Sequence, residues 1–171
     1  MQAFKRPSQF AGIVLLTAAS ACAPKHTNTV PEAQSAQTAV VPAPGKVVSG
    51  SAEDFRVNVG DRVLFAYDRK DINEDGRATL KKQADWLAKY PSVTVTVEGH
   101  CDERGTREYN IALGARRANS VREFLVSSGV SAQRIKTVSY GKEKGGCSIS
   151  DESCWSQNRR GITVVENDAA S

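Results

Sequence analysis

One stretch in the middle of the chain constrains the fold more than any other. Residues 93–97 read Val-Thr-Val-Thr-Val, a strict alternation that is typical of a strand with one buried face. A polar, glycine-containing loop follows, and apolar residues then recur at helical spacing until Gly129 ends the pattern. We therefore predict a strand that ends near Asp102 and a helix over residues 110–128. The predicted buried positions of this helix are Ile111, Ala115, Ala118, Val121 and Leu125.

The sequence on either side of this stretch predicts three more strands and one more helix. Apolar and polar residues alternate from Phe55, which predicts a first strand that ends near Tyr67 and Asp68 and carries a turn or bulge at Gly60. Asn73 has the character of a helix N-cap, and Pro91 stops the helix that it begins. Two further strands are predicted, over residues 135–140 and within residues 158–165.

The order strand, helix, strand, helix, strand, strand predicts an α/β (α+β) two-layer sandwich. Both helices are expected to pack on one face of the sheet.

The N-terminus has the features of an export signal. Lys5 and Arg6 precede an apolar run of about ten residues, which is too short to span a bilayer and typical of a signal peptide. The run closes with Ala19-Ser20-Ala21-Cys22. This is a small-residue cleavage site, and it also resembles the bacterial lipobox, although Ala19 stands where lipoboxes usually carry Leu. Because a cysteine lies at the cleavage junction, we predict removal of residues 1–21 and lipidation of Cys22.

The residues after Cys22 predict a tether rather than a folded segment. Residues 22–52 are rich in Pro, Ala and Thr and show no sustained period, so we interpret them as a flexible, lipid-anchored linker. The folded domain is predicted over residues 53–167, with residues 168–171 as a tail. Ala23 stands where an inner-membrane retention signal would carry Asp, and this favours the outer membrane.

Composition and motifs argue against several function classes. The net charge of +4 is mild, the charges are interspersed and aromatic residues are few, so a nucleic-acid partner is not expected. Residues 71–76 resemble the start of a calcium loop, but its twelfth position is Lys82 instead of a bidentate Glu. His100 and Cys101 are adjacent, so they point to opposite sides of a strand end and do not form a nucleophile–base pair. We therefore expect neither an enzyme active site nor a cofactor.

The remaining cysteines leave two alternatives. A zinc site that uses His100, Cys101, Cys147 and Cys154 is conceivable, but the spacing of the last two matches no usual zinc hook. In an exported protein, a pair that closes a short loop more often forms a disulfide. We therefore predict a Cys147–Cys154 disulfide, a buried free thiol at Cys101 and no metal.

A family resemblance covers nearly all of residues 55–166. Residues 97–118, Val-Glu-Gly-His-Cys-Asp-Glu-Arg-Gly-Thr-Arg-Glu-Tyr-Asn-Ile-Ala-Leu-Gly-Ala-Arg-Arg-Ala, resemble the peptidoglycan-binding motif of OmpA-like domains in the form found in peptidoglycan-associated lipoproteins. The match continues through Val-Ser-Tyr-Gly-Lys-Glu at 138–143 and Trp-Ser-Gln-Asn-Arg-Arg at 155–160, and back to Phe-Ala-Tyr-Asp at 65–68. It implies a βαβαββ mixed sheet with two helices on one face.

The resemblance also implies a ligand and the residues that bind it. The ligand is the meso-diaminopimelate of uncrosslinked peptidoglycan stems, whose free end carries an ammonium and a carboxylate on one carbon. Asp102 is implied to accept from the ammonium and Arg117 to grip the carboxylate. Leu113 and the Tyr67-Asp68 segment are implied to complete the pocket. The alternative is that Asp102 and Arg117 are structural and pair only with each other.

The function that follows from the resemblance is attachment of the outer membrane to the cell wall from the periplasmic side. It implies partners in the Tol–Pal system, which serves envelope integrity and cell division. An alternative is an OmpA-like wall-anchoring module of another envelope assembly, such as a motor or a secretion apparatus. One departure from the family is clear, since residues 145–154 lack the Pro-Val start that is usual in relatives and carry the cysteine pair instead.

Overall fold

A computed structural model describes residues 47–167 of the chain. The predicted signal peptide, the predicted lipidation site Cys22, most of the predicted linker and the tail 168–171 lie outside these residues. Within the described part, no helix combines the length and the apolar character that crossing a membrane requires.

Residues 47–167 form four strands and four α-helices. In chain order these are α1 (Ala52–Asp54, continued by a π-helical turn over Phe55–Val59), β1 (Arg62–Leu64), α2 (Glu74–Lys89), β2 (Val95–His100), α3 (Arg107–Ser127), a 3-10 turn (Ala132–Arg134), β3 (Ile135–Gly141), α4 (Glu152–Asn158) and β4 (Arg160–Val165).

The strands form one mixed sheet in the order β1-β4-β2-β3. The strands β2 and β3 are parallel, and α3 makes the crossover between them. The last strand, β4, runs antiparallel to both of its neighbours, β1 and β2. This arrangement confirms the predicted α/β fold class.

The two long helices cover one face of the sheet. Val97 is paired with Thr163, so the side chains of these two residues lie on the same face of the sheet. On that face the Thr163 hydroxyl donates to Oε1 of Gln83 in α2 at 2.9 Å. The core between the helices and the sheet contains the fully buried side chains Leu80, Leu87, Val95, Val97, Val121 and Leu125. The second layer predicted from the sequence is therefore present.

The middle of the chain folds much as its periodicity predicts. Asn73 caps α2, because its side chain accepts a hydrogen bond from the Gly76 amide at 2.8 Å. The helix α3 starts slightly earlier than predicted, because the Thr106 hydroxyl accepts from the Tyr109 amide at 3.2 Å and caps it. Its predicted positions Ile111 and Ala115 are only half-buried, whereas Leu113, Gly114 and Arg117 are buried.

The predicted first strand is wrong over residues 55–59. The Ser51 hydroxyl accepts from the Asp54 amide at 3.1 Å and starts a helix there. The Phe55 ring packs against Trp86 of α2, with 4.9 Å between the ring centroids. Gly60, with φ of 93°, then ends the helical turn. Only Arg62–Leu64 is a strand, because local capping and one aromatic contact outweigh the alternation of the valines.

The segment before β4 contains a short helix that the sequence pattern does not predict. The side chain of Asp151 caps α4 by accepting from the Cys154 amide at 3.0 Å. The predicted disulfide is confirmed, since Cys147 and Cys154 are bonded with 2.03 Å between their sulfur atoms. Cys101 is a buried free thiol, as predicted.

Candidate ligand-binding site

A cavity of about 160 Å³ lies where β2 ends and α3 begins. Its walls contain all five residues that the sequence analysis assigned to the ligand: Tyr67, Asp68, Asp102, Leu113 and Arg117. The other lining residues are Cys101, Arg104, Gly105, Tyr109 and Asn110.

Three parts of the fold bring these residues together. Asp102 lies just beyond the carboxyl end of β2. Leu113 and Arg117 are four residues apart on α3, so their side chains project from the same face of the helix. Tyr67 and Asp68 lie in the loop after β1, where Asp68 has a positive φ of 56°. The cavity thus lies where one strand end, one helix face and one loop meet.

Arg117 is the buried cation of the cavity, with no exposed surface. Its Nε donates to the Arg69 carbonyl at 2.8 Å, its Nη1 to the His100 carbonyl at 2.8 Å and its Nη2 to the Ala66 carbonyl at 3.1 Å. Burial lowers the pKa of Arg117, but a guanidinium stays charged in proteins. A guanidinium has five N–H groups, so two are not bound to these carbonyls, and the Cys101 thiol is a further hydrogen-bond partner of the side chain.

Asp102 is the buried anion, only 4% exposed. Its Oδ1 accepts from the Arg104 amide at 3.1 Å and from Arg104 Nε at 3.2 Å. Its Oδ2 accepts from Arg104 Nη2 at 2.7 Å and from Arg159 Nη1 at 3.3 Å. Burial acts to raise the pKa of Asp102, but the hydrogen bonds from Arg104 and Arg159 outweigh it and leave the pKa below its usual value. The carboxylate is therefore ionised at neutral pH.

Asp102 and Arg117 do not form an ion pair with each other. The anion pairs with Arg104 and Arg159, whereas the cation binds backbone carbonyls. The alternative in which the two residues pair only with each other is therefore wrong. Each charge is held in place by other groups and faces the same cavity.

Sequence reasoning missed several residues around Asp102. The guanidinium of Arg104 lies between the rings of Tyr67 and Trp155, at 4.1 Å from each ring centroid. Arg159 is buried beside the acid. The Tyr109 hydroxyl donates to Oδ1 of Asp68 and so joins the start of α3 to the loop after β1. Arg104 is two residues from Asp102, and this proximity was the one available signal.

His100 and Cys101 have separate environments. Nε2 of His100 contacts Oε2 of Glu98 at 3.2 Å, on the face of the sheet opposite the helices. The Cys101 thiol contacts the Asn110 carbonyl at 3.4 Å, and burial raises its pKa. The two side chains do not act on each other, as their adjacent positions predict. Within residues 47–167, no group of three or more His, Cys, Asp or Glu side chains is arranged to hold a metal ion.

The cavity suits a small ligand with both charges. Arg117 offers two N–H groups that no backbone carbonyl takes, and such a pair matches a carboxylate. Oδ1 of Asp102 receives only the longer bonds from Arg104, at 3.1 and 3.2 Å. Leu113 supplies an apolar wall between the charged groups. An amino-acid-type group, with its ammonium and carboxylate on one carbon, meets these requirements.

Comparisons with known proteins identify the family of this chain. The family model described as the OmpA family matches residues 64–160, more than half of the chain. A peptidoglycan-associated lipoprotein of Agrobacterium fabrum is 59% identical over 121 residues, which are 71% of this chain and 68% of that protein. A peptidoglycan-associated lipoprotein of Legionella pneumophila is 47% identical over 103 residues, which are 60% of this chain and 58% of that protein.

Solved structures share the fold. The peptidoglycan-associated lipoprotein of Burkholderia pseudomallei superposes with a TM-score of 0.64 at 35% identity, over 68% of this chain and all of that chain. The C-terminal domain of Helicobacter pylori MotB superposes with a TM-score of 0.60 at 24% identity, over 64% of this chain and 87% of that domain, and this shows the shared fold alone. The chain belongs to the OmpA family, in the branch formed by the peptidoglycan-associated lipoproteins.

Proposed function

We propose that this domain binds peptidoglycan non-covalently by taking the free end of a meso-diaminopimelate residue into the cavity. The observation that carries the proposal is that a buried cation, Arg117, and a buried anion, Asp102, both lie in the walls of one small cavity. The names of the relatives support peptidoglycan as the polymer that is bound. The two charges of the cavity support diaminopimelate as the group of that polymer that enters it.

The ligand carboxylate binds the two N–H groups of Arg117 that the backbone leaves available. The ligand ammonium donates to Oδ1 of Asp102, which receives only the longer bonds from Arg104. The methylene chain of diaminopimelate lies against Leu113, and the loop of Tyr67 and Asp68 closes the cavity around it. Binding, and not catalysis, is the activity that these groups support.

This arrangement selects against a wall whose stem peptides carry lysine. Lysine has the terminal ammonium but lacks the adjacent carboxylate, so two N–H groups of a fully buried cation would lose their partner in the complex. The lysine side chain is therefore rejected because Arg117 would be left unpaired, without any steric clash.

Wall binding is tested by sedimentation with purified sacculi. Residues 47–167 lie within one compact unit, and the solved Burkholderia chain consists of the matching part alone, so residues 42–171 can be produced by themselves. The wild-type protein is expected to sediment with diaminopimelate-type wall and to remain soluble with lysine-type wall. Release of soluble muropeptides would indicate a hydrolase, which contradicts the proposal.

Three variants locate the site. Asp102→Asn and Arg117→Ala are expected to remain soluble, whereas the control Arg116→Ala, an exposed neighbour on the same helix, is expected to sediment. Asp68→Asn covers the case in which Arg117→Ala fails to fold, because Asp68 is exposed and asparagine tolerates its positive φ. Folded Asp102→Asn and Asp68→Asn proteins that sediment like the wild type would exclude this cavity as the site.

We also propose that Cys22 is lipidated, that residues 22–52 tether the domain, residues 53–167, and that the anchor lies in the outer membrane. The lipoprotein names of the relatives and the Cys at the cleavage junction support this proposal. Incorporation of labelled palmitate in cells, and its loss in Cys22→Ser, tests it. Partnership with periplasmic Tol proteins rests on family membership, and cross-linking in cells tests it.

The alternative, a wall-anchoring module of a motor or secretion apparatus, has weaker support. The similarity to MotB is at 24% identity and concerns the fold, whereas the lipoprotein relatives reach 59% identity.

A further inference from the structure

The helix α4 adds a wall to the site to which the family motif assigns no ligand-binding residue. The side chains of Glu152 and Trp155 contact Arg104, which is hydrogen-bonded to Asp102. The Trp155 ring lies 4.1 Å from the Arg104 guanidinium, and Oε2 of Glu152 lies 3.7 Å from Arg104 Nη2. The other carboxylate oxygen of Glu152 contacts Arg159, which is the second arginine on Asp102.

These contacts fix Arg104 in one conformation. The Trp155 indole is held in turn, because its Nε1 donates to Oε1 of Glu103 at 3.1 Å. Arg104 is therefore stacked between two rings and bonded at its end to a buried carboxylate. A long side chain held in this way loses little further freedom when a ligand binds, and this preorganisation favours affinity.

A covalent link joins α4 to the loop before it. Cys154, in its first turn, is fully buried and bonded to Cys147, whose neighbours in the loop are exposed. Apart from the disulfide, the loop is joined to α4 mainly through Asn158, whose side chain bonds the backbone of Gly146 and Cys147. These bonds lie at the far end of α4 from Glu152, whereas the disulfide and the cap from Asp151 hold its first turn.

We propose that Glu152 and Trp155 are positioning residues for Arg104, and that the Cys147–Cys154 disulfide makes their action redox-dependent. With the disulfide intact, Arg104 is held in the wall of the cavity. With it reduced, the first turn of α4 loosens, Arg104 gains conformations and the ligand binds more weakly.

The chemical step is an ordinary thiol–disulfide exchange. A dithiol reductant attacks the sulfur of Cys147, the more exposed of the two, and Cys154 leaves as a thiolate and takes up a proton. The second thiol of the reductant then displaces Cys147. The protein gains two electrons and two protons, and the reductant becomes a disulfide.

This inference rests on the proposed function, because its readout is binding of a muropeptide. The probe is a soluble muropeptide with a meso-diaminopimelate stem, titrated calorimetrically into residues 42–171 with and without dithiothreitol. We expect reduction to weaken binding about two- to tenfold, which is the cost of ordering one or two long side chains. The variant carrying Cys147→Ser and Cys154→Ser should bind like the reduced protein and ignore dithiothreitol.

A local readout separates positioning from general stability. The chain has two tryptophans, Trp86 and Trp155, so Trp86→Phe leaves Trp155 as the sole indole reporter. Quenching of the Trp155 fluorescence by acrylamide should increase on reduction, while the circular dichroism of the domain stays unchanged. Glu152→Gln should weaken binding in the oxidised protein. The matched control is Glu143→Gln, whose carboxylate pairs with Arg107 away from the cavity, and it should bind normally.

The outcomes are distinguishable. Equal affinity of the folded oxidised and reduced proteins, together with normal binding by Glu152→Gln, overturns this inference and leaves the proposed function intact. Failure of the oxidised wild-type protein to bind the muropeptide contradicts the proposed function, and the inference falls with it.

Discussion

At the scale of single residues, the site is organised by the partners of its two central charges. Arg117 binds three backbone carbonyls, and Asp102 binds two arginines. The motif predicts both charges because it fixes them on one strand end and one helix. The matched residues 155–160 include Arg159, but they do not predict its bond to Asp102, which lies 57 residues earlier and is reached only through tertiary packing.

The shape of the Arg117 side chain should matter as much as its charge. In Arg117→Lys, a single ammonium replaces a fork that serves the carbonyls of Ala66, Arg69 and His100, so buried acceptors lose their donors. We expect a loss of about 2–4 kcal/mol in the free energy of unfolding, measured by urea denaturation. The exposed control Arg116→Lys should change it by less than about 0.5 kcal/mol. Equal stability of the two variants would contradict this account.

The ion pairs of Asp102 predict a pH dependence of stability. Its pKa is lower in the folded protein than in the unfolded chain, where it is about 3.9. Its stabilising contribution is therefore complete above the unfolded value and is lost as the pH falls through the folded value. Asp102→Asn should be less stable than the wild type at pH 7, and the difference should shrink below about pH 4. Urea unfolding at several pH values measures this difference.

The exposed acid Asp85 of α2 provides the control for this experiment. Asp85→Asn should follow the wild-type pH profile throughout. A stability difference for Asp102→Asn that stays constant down to pH 2.5 would show that the carboxylate charge does not contribute.

At the scale of elements, the sequence predicts most of the domain well and fails at the first strand and at α4. The helix α2 and the strand β2 follow their periods because each packs one regular face on the core. The first predicted strand fails because its alternation is short, and a cap from Ser51 with the contact between Phe55 and Trp86 is stronger than that alternation. The helix α4 has only seven residues, and this is too short for a periodic signal.

The close packing of α3 on β2 depends on two glycines. A Cβ added to Gly99 would lie 1.9 Å from the Gly114 carbonyl oxygen, and backbone atoms cannot move aside as a flexible side chain does. We expect Gly99→Ala to lower the free energy of unfolding by about 3 kcal/mol or more, because the helix has to shift from the strand. The control Gly129→Ser changes a glycine with no neighbouring atoms within 4 Å, although its positive φ adds a local strain of about 1 kcal/mol. If Gly99→Ala is as stable as this control, then close packing of α3 on β2 is not what requires glycine at position 99.

At the scale of the whole molecule, the proposed function divides the chain into an anchor, a tether and a binding domain. The domain carries the cavity, whereas reach depends on the tether of residues 22–52. A coil of this length spans on the order of 30 Å, and its fully extended length is roughly 100 Å. Attachment of the membrane to the wall therefore requires both affinity and length, and the two can be separated by experiment.

Shortening the tether should impair attachment without changing the site. Removal of twenty residues from 25–44 leaves about eleven, with an extended reach of only about 36 Å. In cells, we expect the shortened lipoprotein to cross-link to the wall at least several-fold less than the full-length protein, because fewer conformations reach the polymer. A control in which the same residues are replaced by a Gly/Ser segment of equal length should cross-link normally. The folded domain is unchanged in the shortened protein, so its intrinsic affinity for the wall can still be measured on purified residues 42–171. Normal cross-linking by the shortened protein would contradict the prediction, because it would mean that the wall lies within reach of the anchor itself.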